Sequence, residues 1–75
     1  MGRLRPLSAR DVIGILERHG FRRVRQRGSH IVVQRQDEGG TTTAIVPDHA
    51  EIEIGTLRSI IRQSGLPRQE FESRE

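Results

Sequence analysis

Glycines at 28 and at 39–40 cut the middle of the chain into short β-prone pieces, and this limits the fold more than any other feature. "FRRVRQR" (21–27) reads as a strand and Gly28-Ser29 as a tight turn. "HIVVQR" (30–35) reads as a second strand, and "QDEGG" (36–40) as a polar hairpin loop. "TTTAIV" (41–46) is a β-branched third strand that Pro47 stops, because proline brings no N–H to a ladder. Pieces joined this closely pair antiparallel, since a parallel crossover needs a much longer connection. The result is a three-stranded meander.

Helical patterns flank it. In "SARDVIGILERHG" (8–20), Ser8 reads as an N-cap with Asp11 in a capping-box relation. Ala9, Val12, Ile13 and Leu16 form one apolar stripe, and Gly20 follows as a C′ residue able to take positive φ. Before this helix, "MGRLRP" reads as a basic lead-in closed by Pro6. After strand three, "DHAEIEIG" (48–55) is irregular, and "TLRSIIRQSG" (56–65) predicts a second helix with Leu57, Ile60 and Ile61 on one face and Gly65 as its stop. "LPRQEF" (66–71) predicts a short terminal turn that folds Leu66 and Phe71 back on the core. The class is therefore α+β in the order α-β-β-β-α, a three-stranded antiparallel sheet with two helices on one face, because so small a sheet needs one side covered. The 75 residues make a single domain, 1–75, with its core at about 7–72; nothing is left for a second one.

Hydrophobic residues make up 32% of the chain and two phenylalanines are its only aromatics, so the core is aliphatic and stability is modest unless a partner buries more surface. With no cysteine, disulfides and thiolate metal sites are excluded. There is no membrane-length apolar run and no signal-peptide pattern, which makes the cytoplasm the expected location. All 13 basic residues are arginine. Residues 1–35 carry nine arginines against Asp11 and Glu17, a balance of +7, while residues 36–75 carry four against eight acids, a balance of −4. A polyanion is drawn to the first half, and guanidinium forks suit bidentate phosphate contacts.

Strand parity places His30. Ile31 and Val33 point one way, and His30, Val32 and Gln34 the other. With the aliphatic pair on the helices, His30 stands on the open face beside a Gly-Ser turn whose N–H groups a phosphate can approach. An imidazole titrates near neutral pH and exchanges protons readily; the plainer alternative is a surface histidine that starts a strand. Simple alternation puts Arg23, Arg25 and Arg27 on one face, with Arg22 opposite, as a row that matches a nucleic-acid backbone. The same row also serves as a charged edge that discourages aggregation. Phe21 and Val24 have opposite parity, so either the strand carries a bulge or one of them is not core. His49, just past strand three, is expected near His30 as a second acid/base candidate, whereas His19 at a helix C-terminus reads as structural. No HxH or HExxH spacing supports a metal site, and no Walker-type loop is present. Ser29 and His30 are neighbours on opposite faces, a poor nucleophile–base pair. Without tryptophan or tyrosine, a base-stacking platform also lacks support.

Taken together, "DVIGILERHGFRRVRQRGSHIVV" and "TTTAIVPDHAEIEIGTLRSIIRQSGL" resemble the HicA (YcfA-like) toxins of bacterial type II toxin–antitoxin pairs, from about Ser8 to Phe71. Four pieces carry the likeness in order: the helix ending in HGF, the GSH tripeptide, V-P-x-H after strand three, and a G-T-L-R-x-I helix. The chain departs after GSH, where many members carry polar or aromatic residues and this one has "IVVQR". The resemblance implies a double-stranded-RNA-binding-domain-like fold and an mRNA interferase, a ribonuclease silenced by a HicB-type antitoxin; separately, no cofactor or metal is expected, and cleavage is expected to be metal-independent. It implies that His30 is catalytic, with Gly28 and Ser29 as the motif's turn and His49 in the V-P-x-H place. Arg23, Arg25, Arg27, Gly28 and Ser29 are then the expected RNA contacts. The alternatives are a non-catalytic RNA-binding module of the same fold and a pure protein-docking domain.

Overall fold

A computed structural model describes residues 2–73 of the chain. Helix α1 spans Ala9–Arg18, strands β1, β2 and β3 span Arg22–Arg27, His30–Asp37 and Gly40–Pro47, helix α2 spans Ile54–Ser64, and a 3₁₀ turn covers Arg68–Phe71. The sheet order is β1-β2-β3 with both pairings antiparallel. The α+β class and the α-β-β-β-α order are as the sequence predicts, and a double-stranded-RNA-binding-domain-like arrangement is compatible with them. The β2–β3 loop is tighter than expected, reduced to Glu38-Gly39, because Asp37 Oδ1 accepts the Gly39 N–H at 2.9 Å and Gly40 takes φ +121°. Helix α2 begins at Ile54, ahead of the expected Thr56, with the extended Glu53 as its cap.

Helix α1 starts as its sequence dictates, with the Asp11 N–H donating to Ser8 Oγ at 3.0 Å. It ends in a Schellman arrangement: Phe21 N–H reaches the Leu16 carbonyl and Gly20 N–H the Glu17 carbonyl, both at 3.1 Å, with Gly20 at φ +92°. Leu16 and Phe21, the two side chains such a motif brings together, are both buried. The rest of the stripe (Ala9, Val12, Ile13) meets Leu57 and Ile60 of α2 and the Ile31, Val33, Ala44 and Val46 face of the sheet in one core. Phe71 folds back as predicted and is buried, with Leu66 packed against the core. Leu4 also enters that core, so the lead-in is part of the fold. It is held by Arg3, whose carbonyl accepts the Ser73 N–H at 3.0 Å, and by the reciprocal Leu7–Ile52 bonds. The one buried polar side chain among the described residues is Ser64, and its hydroxyl is satisfied: it donates to the Ile61 carbonyl at 2.9 Å and accepts from the Leu66 N–H at 3.2 Å.

The open face of the sheet stays free of helices. His30, Val32 and Gln34 lie there, opposite Pro47, Ile45 and Thr43 of β3. Arg35 goes the other way. Its guanidinium lies 4.9 Å from the centre of the Phe21 ring and donates to the His19 carbonyl at 3.3 Å, so this arginine roofs the core.

Candidate active site

The β1–β2 connection is a two-residue turn, Gly28-Ser29, flanked by the pair Arg27 and His30. Gly28 has φ +56° and Ser29 does not have positive φ, the sign pattern of a type II′ turn, whose twist matches the strands it joins. A Cβ on Gly28 would meet nothing within 4 Å, so the backbone angle alone requires glycine here. His30 opens β2 as an exposed residue on the helix-free face.

Strand β3 runs back to end beside this turn, in register with His30 at Pro47. The Asp48 N–H donates to the Ser29 carbonyl at 2.6 Å, and the His49 N–H to the Pro47 carbonyl at 2.8 Å. The His49 carbonyl in turn accepts the Ala9 N–H at 2.9 Å, which joins this loop to the start of α1. As expected, His49 comes to His30: the two line one open depression of about 630 Å³ with Ile45, Pro47, Glu51 and Gln63. That volume is within the roughly 300–1,000 Å³ of small-ligand sites. Gln63 Oε1 accepts the Ile45 N–H at 2.9 Å, which directs its NH₂ group away from that strand edge.

The arginine row differs from simple alternation. The register shifts between Arg23 and Arg25, leaving Val24 as the extra residue of a β-bulge. Arg22, Arg25 and Arg27 consequently pair with Gln34, Val32 and His30 on the open face, while Arg23 pairs with Val33 and Gln26 with Ile31 on the helix side. Arg23 and Arg22 thus exchange the faces that alternation predicts. Both answers to the Phe21–Val24 parity conflict hold, since the strand bulges and Val24 is 48% exposed. Arg23 lines a second depression, between α1 and β1, with Arg10, Gly14, Glu17 and Asp48. There Arg23 Nη2 donates to Gln26 Oε1 at 3.0 Å, and Gln26 Nε2 donates to the Gly28 carbonyl at 2.9 Å and to Asp48 Oδ2 at 3.2 Å. His19 is remote from these groups and bonds Glu70 Oε1 at 3.0 Å, as a structural histidine would.

A family model described as HicA toxin of bacterial toxin-antitoxin matches residues 9–66. The chain belongs to the HicA toxin family. The match covers α1, the whole sheet, the His49 loop and α2, so every piece of the depression lies inside it. No curated protein matches the chain. Family membership makes this chain the toxin of a toxin–antitoxin pair and implies an antitoxin partner. No helix among the described residues is long and apolar enough to cross a membrane.

In this HicA chain the sequence singles out the two histidines and the turn that border the depression, and it gives no comparable sign of Gln26, Asp48 and Gln63, which the structure places beside them. Gln26 had a signal, since it sits two residues before the turn glycine whose carbonyl it binds. Asp48 and Gln63 act across long sequence separations, which no local pattern encodes. Chemically, the arrangement offers two exposed imidazoles at one depression and cationic side chains on the strand beside them. Polar backbone at the turn completes it. These parts suit proton transfer next to a bound anion.

Proposed function

We propose that this HicA toxin is an mRNA interferase, an endoribonuclease that uses its own side chains for acid and base. The observation that carries the reading is the exposure of His30 on the open sheet face, next to Arg27 and Arg25 and in one depression with His49. RNA brings its own nucleophile. His30 as general base takes the proton of a ribose 2′-hydroxyl, the 2′-oxygen attacks phosphorus, and the P–O5′ bond breaks. The products are a 2′,3′-cyclic phosphate and a 5′-hydroxyl, the leaving oxygen taking its proton from His49. Arg25 and Arg27, joined by Arg22, meet the phosphodiester charge, and the Gly28-Ser29 backbone lets the anion approach closely. Arg23, carried to the helix side by the bulge, contributes at the strand edge.

Proton transfer by one positioned group contributes about 10²–10⁴-fold. His30→Ala is therefore expected to cut a long transcript at least roughly 100-fold more slowly while still binding it. The assay is run with purified protein in EDTA, which also tests metal independence. Cleavage by His30→Ala at the wild-type rate would refute the assignment, and binding with no cleavage by the wild type would leave a non-catalytic RNA-binding module. The antitoxin, of HicB type, is expected to dock an acidic or aromatic patch on the open face and exclude RNA in the cytoplasm.

A further inference from the structure

We propose that Gln26 is a positioning residue: together with Asp48 it ties the turn that carries His30 to the loop that carries His49, and so sets the spacing of the two imidazoles. The inference rests on the ribonuclease reading above and adds a determinant of its rate.

The Gln26 side chain is on the helix side of the sheet, behind the histidines, in register with Ile31. It is an exposed amide, yet every polar group on it is used. Its two N–H bonds reach the Gly28 carbonyl at 2.9 Å and Asp48 Oδ2 at 3.2 Å, and its oxygen accepts from Arg23 Nη2 at 3.0 Å. A flipped amide would turn its oxygen toward a carbonyl and a carboxylate and its N–H groups toward a guanidinium, so this chemistry permits one orientation. A two-residue hairpin turn does not need such a brace for its own geometry. What the brace adds is a second link, beside the Asp48 N–H to Ser29 carbonyl bond of 2.6 Å, between chain segments 22 residues apart.

The tether also sorts charge. Asp48 lines the α1–β1 depression with Arg23, whereas its neighbour His49 lines the depression that holds His30. Held by Gln26, this carboxylate is not added to those of Glu51 and Glu53, which already line the His30 depression, and the backbone that follows presents His49 to that depression. Without the amide, the Asp48 carboxylate loses this side-chain partner and the loop keeps only its backbone bonds to Ser29, Pro47 and Ala9.

Misplacing a reacting group by about an ångström costs up to roughly 100-fold in rate. Gln26→Ala and Asp48→Ala are each expected to lower kcat about tenfold or more, with KM within about twofold. The double variant should fall no further than either single one. Asp48→Asn keeps an acceptor oxygen for Gln26 and should recover most of what Asp48→Ala loses. A role in folding alone would appear as a lower Tm with unchanged kcat per folded molecule. Wild-type kcat in Gln26→Ala, a loss confined to KM, or multiplying losses in the double variant would each overturn the proposal. A second readout needs no RNA: the ring resonances of His30 and His49 in the NMR spectrum should both move in Gln26→Ala and in Asp48→Ala. If the wild-type protein does not cut RNA, the ribonuclease reading fails and the NMR arm decides the tether alone, unmoved ring resonances overturning it.

Discussion

Gly28 shows how much one backbone angle carries. Its φ of +56°, at the first central position of a type II′ turn, lies where a residue with a Cβ is strained by on the order of 1–3 kcal/mol, and no neighbour blocks an added methyl group. Gly28→Ala is thus expected to lower unfolding free energy by about that amount, or to shift the turn and displace His30. Denaturant titration together with cleavage rate separates the two outcomes, since a relaxed turn would spare stability and lose activity. At this scale the sequence was a good guide to His30, because parity counts correctly over a regular strand and β2 is regular. It was a poor guide to Arg22 and Arg23, because one extra residue at Val24 inverts every side chain on its far side. The parity conflict between Phe21 and Val24 announced an irregularity, but alternation cannot say where the extra residue sits. Arg35 was legible in direction but not in role: strand parity sets it with Ile31 and Val33, and there it covers the Phe21 ring rather than adding to the displayed cationic surface.

Among the elements, α1 was the most legible, with cap, stripe and stop all readable in order, because each depends on residues within a turn or two. Its C-terminal glycine has a further tertiary role. A Cβ on Gly20 would approach Arg35 Cδ to 3.3 Å, in addition to the strain of φ +92°. Gly20→Ala is expected to cost about 1–2 kcal/mol or more, read as a lower denaturant midpoint at an unchanged m-value. The edges of the sheet show why some of the site was illegible. On β3, the Ile45 N–H is taken by Gln63 and position 47 has no N–H to offer, so the end of that edge nearest the His49 loop is blunted against strand pairing. Nothing local to "TTTAIV" or to "IIRQSG" foretells that meeting; it follows from how α2 lies against β3.

Over the whole molecule, the excess of arginine in residues 1–35 is partly spent on structure and partly displayed. Arg35 is turned inward and Arg23 is engaged at the edge, leaving Arg22, Arg25 and Arg27 on the open face. For single-stranded RNA each neutralised phosphate adds about −0.7 to the slope of log K against log salt. Three such contacts predict a slope near −2, measured on the His30→Ala protein so that the RNA stays intact. A slope close to zero would remove the open face from RNA binding. Arg23→Ala should change that slope less than Arg25→Ala does. The overall order of elements was legible because short loops and glycine punctuation leave few alternatives; the distribution of charge over two faces was not, because it depends on the bulge.

The hydrogen bond from the Ala9 amide to the His49 carbonyl joins two regions that look independent along the chain. It lies one residue past the Ser8 cap, so the first turn of α1 serves as a hinge pin for the imidazole loop. Fraying there, by warmth or by loss of the serine hydroxyl, would unlatch His49 while the sheet is still whole. Under the ribonuclease reading proposed above, cleavage would then stop while most of the fold persists.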